Sequence, residues 1–337
     1  LFRSTQTGIG SYELTQAPEG GWSVLATRAG FSMFQGYKSV TDLSGKECAF
    51  ATSPPRPGGW FGASAQRQIR ARFGSTLLVS ADDARAWCTD GVPTLALPVY
   101  RISGWFTPVH VPAGVVIVDT NGNMTLDTEV TDGEYPIGLY PESVAAQQRS
   151  ALSVRSLDGS TVGWWGNLLG RGGTELTEGG PADPNDPNLS EMVYPTSDGS
   201  TVYVTPVTVR GRSTAVAARV TVQADTVASG TLAPVSVSSA DPAFPSNGTT
   251  AADVKTAFPN IGWQAGLTVI ELVPDTDSSL LGYLGTDANG AVRAVSYLLS
   301  TRFVDGQWEY CIAKPATPED KACATTSGPV SDSQESG

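Results

Sequence analysis

The stretch TVYVTPVTVRGRSTAVAARVTVQA, residues 201–224, decides the fold class of this chain. Val and Thr dominate its first part, and apolar and polar residues largely alternate in its second part. A period of two places five small apolar side chains on one face of a strand. These residues are Val216, Ala218, Val220, Val222 and Ala224. We therefore expect a half-buried antiparallel hairpin that turns at residues 210–212.

Further strand-like runs lie on both sides of this hairpin. They are rich in Val, Leu and aromatic residues and are bounded by Gly and Pro. They occupy residues 21–34, 75–80, 94–102, 114–120, 231–238, 267–273, 280–284, 291–299 and 307–313. The fold class that this pattern predicts is α+β, predominantly antiparallel β with a few short helices, in two to three domains.

One turn also has the spacing of a metal site. Asn121-Gly122 joins the runs at 115–119 and 124–129, and this dipeptide favours a type I′ hairpin turn. Asp119, Asn121 and Asn123 alternate as calcium ligands do, but Gly122 and Val130 depart from the EF-hand pattern. We interpret the segment as a turn and expect no metal there.

Three short helices are predicted from their capping residues. The first follows a capping box of Ser80 and Asp83 and buries Ala84, Trp87 and Cys88 before Gly91 ends it. The second begins at Pro141 and runs to about residue 154. The third follows a capping box of Thr250 and Asp253 and buries Val254 and Phe258.

The chain organisation follows from where the turn-forming residues collect. We expect a β-rich N-terminal domain at 1–135, a helix and hairpin region at 136–240, and a small α+β domain at 250–324. A Gly/Pro/Asp-rich loop at 170–188, a Pro/Asp/Ser boundary at 240–247 and a disordered polar tail at 325–337 complete the prediction.

Composition excludes several function classes. The chain has one histidine, His110, among 337 residues. We therefore do not expect acid–base catalysis that needs several histidines or a zinc site with several histidine ligands. A Ser–His–acid site would need His110 together with a serine such as Ser64, which lacks the context of a nucleophile elbow. The net charge is −12 and no basic stripe is present, so we expect no nucleic-acid partner. Phosphate-binding and dinucleotide motifs are absent, and no cofactor is predicted.

The four cysteines indicate an oxidising compartment. No knuckle spacing for zinc and no redox Cys-x-x-Cys occurs, whereas local closure favours the pairs Cys48–Cys88 and Cys311–Cys323. No apolar run is long enough for a transmembrane span. The abrupt start at Leu1 suggests that a signal peptide or N-terminal anchor precedes the chain. We expect an extracytoplasmic, secreted or cell-surface location.

Two segments have the composition of a contact surface. The first contains Trp60 and Phe61 together with Arg67, Arg70 and Arg72, and interfaces are enriched in aromatic residues and Arg. Residues 1–110 carry ten basic and seven acidic residues, whereas residues 111–337 carry eleven and twenty-six. The first segment therefore lies in the part of the chain that an anionic partner could approach.

The second such segment contains Trp164 and Trp165, beside the acidic loop at 170–188. From these features we expect a non-catalytic binding or assembly component of the cell envelope, with no catalytic residues and with a protein or envelope component as its partner. The alternative is a secreted carbohydrate-active hydrolase that uses paired carboxylates. Candidates for such a pair are Asp132, Glu134, Glu142, Glu175, Glu178 and Glu271.

Overall fold

The structure is a computed structural model that describes most of the chain. The described residues are 5–7, 10–16, 22–27, 32–42, 47–105, 108–152, 176–178, 192–195, 200–209, 215–245, 247–276, 279–287, 292–314 and 317–326. Within them the fold is mostly antiparallel β with three short α-helices, so the predominantly β prediction is confirmed.

The chain divides into two compact units. Unit 1 comprises Leu1–Ser153, Val193–Val204 and Val220–Ser236. Unit 2 comprises Val154–Met192, Thr205–Arg219 and Val237–Gly337. The domain boundaries proposed from the sequence remain predictions.

Unit 1 contains two antiparallel meanders. The first has the strand order β1-β2-β3-β4-β5, with bounds Thr5–Thr7, Gly10–Gln16, Trp22–Thr27, Tyr37–Asp42 and Glu47–Ala49. The second has the order β6-β7-β8-β9, with bounds Arg85–Thr89, Val92–Ser103, Val109–Val118 and Met124–Asp127. A two-stranded sheet pairs β10 with β15, Glu129–Val130 and Val227–Ala228. The helices are α1, Ala65–Phe73, and α2, Glu142–Leu152, which confirms the helix predicted from residue 141.

The second meander is buried on both faces. Leu97 and Val116 join a core that also contains Ile69 of α1, whereas Ala96 joins a core on the opposite face with Val144 of α2. Because successive side chains of a strand point to opposite faces, a strand between two cores is apolar at nearly every position. This explains the continuous apolar runs at 94–100 and 114–118.

A third sheet contains the segment that decided the fold class. Its order is β11-β13-β14-β16, and β12 pairs with β13. The bounds are Leu176–Glu178 for β11, Met192–Pro195 for β12, Thr201–Val209 for β13, Ala215–Gln223 for β14 and Val235–Pro245 for β16. All five residues of the predicted apolar face are buried. They are Val216, Ala218, Val220, Val222 and Ala224. The turn at 210–212 lies outside the described residues.

The described part of unit 2 includes an antiparallel meander and one helix. The order is β17-β18-β19-β20-β21, with bounds Leu267–Thr276, Ser279–Asp287, Val292–Val304, Gln307–Lys314 and Thr317–Thr326. The helix is α3, Asn247–Ala257, and its Val254 packs in the same core as Tyr310 of β20. The Tyr310 hydroxyl donates a hydrogen bond to Asp253 of α3 at 2.7 Å. β21 was missed by the sequence analysis and forms an edge of the sheet.

Both cysteine pairings predicted from locality are confirmed. Cys48 of β5 is bonded to Cys88 of β6, and their Cα atoms are 6.2 Å apart. Cys311 of β20 is bonded to Cys323, its direct partner in β21, with Cα atoms 4.0 Å apart. These disulfides are compatible with an extracytoplasmic location but do not establish it.

The first predicted helix is wrong, because the segment from Arg85 is strand β6. Its side chains alternate between the two cores, with Ala86 in the core that contains α1 and Trp87 in the other. Gly91 does not end a helix. It forms, with Asp90, a two-residue hairpin turn in which both residues have positive φ, 51° and 82°. This is the type I′ geometry that Asp-Gly favours.

The turn at Asn121-Gly122 joins β8 to β9 as expected, but it is longer than type I′. Of the two residues, only Gly122 has a positive φ, and the backbone N–H of Gly122 donates to the Asp119 carbonyl. Asp119 also accepts hydrogen bonds from the backbone N–H groups of Asn121 and Asn123, each at 2.8 Å. The Asp119 carboxylate therefore organises the loop, and the hydrogen bond from the Asn123 side chain lowers its pKa.

Several shorter predictions also need correction. The run at 75–80 makes only an isolated bridge, Leu78 to Tyr100, because its neighbouring residues form turns. Residues 240–245 of the predicted boundary belong to β16. Thr250 lies inside α3 and caps nothing, since that helix begins at Asn247.

Two predicted irregular segments are only partly described. Residues 176–178 of the predicted loop at 170–188 form β11, which pairs with β13, and the rest of that loop lies outside the described residues. Residues 325 and 326 of the predicted tail end β21. The remaining residues, 327–337, also lie outside.

Candidate functional site

A cluster of exposed apolar side chains lies at one place on unit 1. Met33, Phe34, Trp60 and Phe61 are between 45% and 62% exposed, although large apolar residues are normally buried. The Phe34 ring meets the Trp60 ring edge-on at a centroid distance of 5.6 Å and stacks on the Phe61 ring at 6.0 Å. We call these four residues the aromatic patch.

Backbone contacts hold the aromatic patch in place. Met33 and Phe34 belong to the 3-10 turn Ser32–Phe34, and Trp60 directly precedes Phe61 at the start of the 3-10 turn Phe61–Ala63. The Trp60 N–H donates to the Met33 carbonyl at 2.5 Å. A Cβ on Gly59 would lie 2.2 Å from the Ala63 carbonyl oxygen, so only glycine permits this close approach. The patch is therefore positioned before any partner binds.

Phe61 has a strained backbone. Its φ is +48°, in the left-handed region that bulky L-residues avoid, and such a conformation costs about 1–3 kcal/mol. The Ser64 N–H donates to the Phe61 carbonyl, which helps to hold this conformation. Strain of this kind persists only where the surrounding structure enforces it, and it concentrates at binding and catalytic sites.

The three predicted arginines of α1 play different parts. The Arg67 guanidinium lies 5.9 Å from the centre of the Phe61 ring, a cation–π contact that adds positive charge to the aromatic patch. Arg70 donates to the Leu77 carbonyl at 3.1 Å. At 3.6 residues per turn, Arg72 is about 140° around α1 from Arg67. The structure thus brings together Trp60, Phe61 and Arg67 but not all three arginines.

These arginine side chains have no acidic partner within the part of the chain that the structure describes. Met33 and Phe34 were missed by the sequence analysis because they lie almost thirty positions before Trp60. The other predicted pair, Trp164 and Trp165, lies outside the described residues.

The serine and histidine singled out by the sequence lie in structural settings. The Ser64 hydroxyl caps α1 by accepting a hydrogen bond from the Arg67 N–H at 3.3 Å. The His110 ring lies 4.8 Å from the Tyr100 ring, and its Nδ1 is buried without a hydrogen-bond partner. Ser64 and His110 therefore have different partners and do not form the arrangement of a Ser–His–acid site.

The described candidate carboxylates are engaged or isolated. Glu142 accepts from the Arg85 guanidinium at 2.6 Å, and Glu134 accepts from the Thr131 N–H at 3.0 Å. Asp132 is exposed on a turn. Glu175 and the side chains of Glu178 and Glu271 lie outside the described part.

Asp83 forms a buried polar network with α2. It accepts hydrogen bonds from the Ser143 N–H at 2.8 Å and the Ser143 hydroxyl at 2.7 Å, so it caps that helix from a distant part of the chain. Burial raises the pKa of Asp83 to about 6, although the Ser143 hydrogen bonds oppose the shift. Because Asp83 is almost completely buried, the network fastens α2 to the sheet and is not placed to meet a substrate.

Two features of unit 2 resemble ligand sites. Glu309, Cys311 and Cys323 have the proximity of metal ligands, but both sulfurs are in a disulfide and supply no thiolate. A shallow cavity of about 390 Å³ is bordered by Lys255, Pro259, Trp263 and Gln264, none of which is a carboxylate. Neither feature supplies the residues of a known catalytic arrangement.

Comparisons of the chain with protein-family models, curated proteins and solved structures each gave no match. None of the described helices is long and apolar enough to cross a membrane.

Proposed function

We propose that this chain is an extracytoplasmic, envelope-associated binding or assembly component that holds a partner protein on its aromatic patch. One observation carries the proposal: four large apolar side chains are exposed together on turns whose backbone is fixed and, at Phe61, strained. Exposed apolar clusters beside polar residues are typical of protein interaction sites, and a preformed cluster binds with a smaller loss of entropy.

The partner surface is acidic and contains an apolar anchor. Arg67 lies beside the Phe61 ring and has no acidic partner among the described residues, so a carboxylate of the partner can pair with it. Residues 1–110 are net positive while the remainder of the chain is strongly acidic. An acidic partner is therefore attracted to the region that contains the aromatic patch and repelled elsewhere.

The proposed location rests on the disulfides Cys48–Cys88 and Cys311–Cys323, which persist in oxidising compartments. The rival proposal, a carbohydrate-active hydrolase, requires two carboxylates about 5–10 Å apart in an open cleft. Among the described candidates Glu142 is already paired with Arg85, so no observation favours that function over binding.

Site-specific photo-crosslinking tests the proposal. A benzophenone amino acid is placed at Phe34, which is 48% exposed in the aromatic patch, or at the control Val92, which is 49% exposed at the start of β7. We expect a discrete protein adduct from position 34 in the native envelope and none from position 92. Excess wild-type protein should suppress the adduct.

A competitor with both Trp60→Ser and Phe61→Ser should be at least about tenfold weaker, because buried aromatic anchors commonly contribute 2 kcal/mol or more. Its unfolding free energy should stay within about 1 kcal/mol of wild type, since both side chains are more than half exposed. Equal competition by the folded variant, or equal adducts from both positions, would refute the aromatic patch as the binding site.

A further inference from the structure

A second surface of unit 1, different from the aromatic patch, is formed by the end of the β7–β8 hairpin. β7 is buried from Leu95 to Val99, partly exposed at Tyr100 and exposed from Arg101 to its end at Ser103. The strands stay paired to this end, where Ser103 lies opposite Val109. Opposite Ile102, the backbone N–H of His110 still donates to the Gln147 side chain of α2 at 2.7 Å, so this end of the hairpin is held at the edge of the core.

The exposed end of the hairpin is apolar. Trp105 is 93% exposed, the highest value among the large apolar residues that the structure describes, and Ile102 is 55% exposed. Val109 on the returning strand is exposed as well. Single exposed apolar residues are common, but these three lie at one end of a hairpin, with Ile102 and Val109 on its opposite faces, so apolar side chains are exposed on both sides of this end. We call Ile102, Trp105 and Val109 the hairpin tip.

The charge around the hairpin tip is unusual for this protein. Residues 91–118 contain no Asp or Glu, although the whole chain has 33 acidic residues in 337. Arg101 is the only Lys or Arg in the same stretch. This acidic protein can therefore approach an anionic or zwitterionic surface with its hairpin tip, because this stretch of the chain has no carboxylates that would repel the surface.

We propose that the hairpin tip inserts into the interface of a lipid bilayer. Trp has an apolar ring and a polar N–H, and it is enriched where acyl chains meet headgroups. Exposed apolar side chains need no complementary cleft when the partner is a fluid lipid bilayer.

Vesicle flotation with the full chain tests this inference. Wild-type protein should float with phosphatidylcholine vesicles, and added phosphatidylglycerol should not abolish the binding. Trp105→Ser should lower the partition coefficient about tenfold, because the buried area of a Trp side chain corresponds to at least that factor. The matched control Trp60→Ser removes an exposed Trp from the aromatic patch and should change partitioning less than about twofold.

Two readouts separate insertion from misfolding and from protein docking. Brominated lipids should quench part of the wild-type Trp fluorescence, and this quenching should disappear in Trp105→Ser while the melting temperature stays unchanged. Absence of wild-type flotation, or equal losses for Trp105→Ser and Trp60→Ser, overturns the inference. The inference is also overturned if the protein fails to bind vesicles while a photo-crosslinker at position 102 forms an adduct with another protein.

Discussion

Removal of the Glu142 carboxylate is the most informative test of the buried network in unit 1. The Arg85 side chain is 3% exposed, and its Nη2 donates to Glu142 Oε2 at 2.6 Å. Its Nη1 donates to the carbonyls of Asp82 and Ala84. Glu142→Ala leaves the guanidinium with these two neutral acceptors and no carboxylate in direct contact.

Breaking a buried ion pair by removing one partner typically costs 3–5 kcal/mol. Glu142 is 21% exposed, so water can partly solvate the gap, and we expect the lower end, about 3 kcal/mol. For a unit of this size that loss corresponds to a fall in melting temperature of roughly 6–12 °C. Glu142→Gln keeps an acceptor for Arg85 and should lose about half as much.

Urea unfolding at neutral pH measures these values. The matched control is Glu129→Ala, an exposed glutamate on β10 whose loss should cost less than about 0.5 kcal/mol. Adding Arg85→Met to Glu142→Ala removes the buried positive charge that has lost its carboxylate partner, and it should recover much of the lost stability. If Glu142→Ala unfolds at the same urea concentration as Glu129→Ala, the ion pair does not stabilise this unit.

Three other predictions concern stability. Burial raises the pKa of Asp83 from 3.8 to about 6, so its stabilising contribution is complete below pH 4 and falls by about 3 kcal/mol as the pH rises past 6. The stability of Asp83→Asn should not show this fall with pH, and parallel curves of stability against pH for variant and wild type would refute the prediction. Tyr310→Phe should cost about 1.5 kcal/mol in urea unfolding by removing the hydrogen bond to Asp253, and no change would mean that water replaces it. Replacing Cys48 and Cys88 together by Ser should cost about 4 kcal/mol, since this bond closes a separation of 40 residues, and a loss below 1 kcal/mol in calorimetry would contradict that reasoning.

Local patterns predicted much of the β structure. The alternation that ends in Val220, Val222 and Ala224 identified the buried face of β14, because a period of two has no other common explanation. The helix α2 was found from Pro141 and the residues after it. In both places local propensity and burial favour the same structure, so the sequence of the segment alone is sufficient to predict its secondary structure.

The errors occurred where long-range contacts decide the structure. Ala84, Trp87 and Cys88 have helical spacing, but Trp87 pairs with Thr94 in β7 and Cys88 is bonded to Cys48. The Asp90-Gly91 turn was the local signal for this hairpin, and it was interpreted as a helix end.

The candidate site was predictable only in part. Trp60 and Phe61 were found from the composition of their own segment, whereas Phe34 joins them through tertiary packing. A contact between residues that are far apart in the sequence leaves no pattern in either local segment. The strain at Phe61 was also inaccessible, since φ depends on how the flanking turns are held.

The edge strand β21 limits how unit 2 can associate with other chains. An edge strand presents unpaired backbone groups and can template the addition of a strand from another molecule. Here three consecutive charged residues, Glu319, Asp320 and Lys321, are exposed along β21, and Cys323 links the strand covalently to β20. Strand addition at this edge would bury those charges and is disfavoured. Recognition at this edge must therefore use side chains, and concentrated protein should resist fibril growth from this side of the sheet.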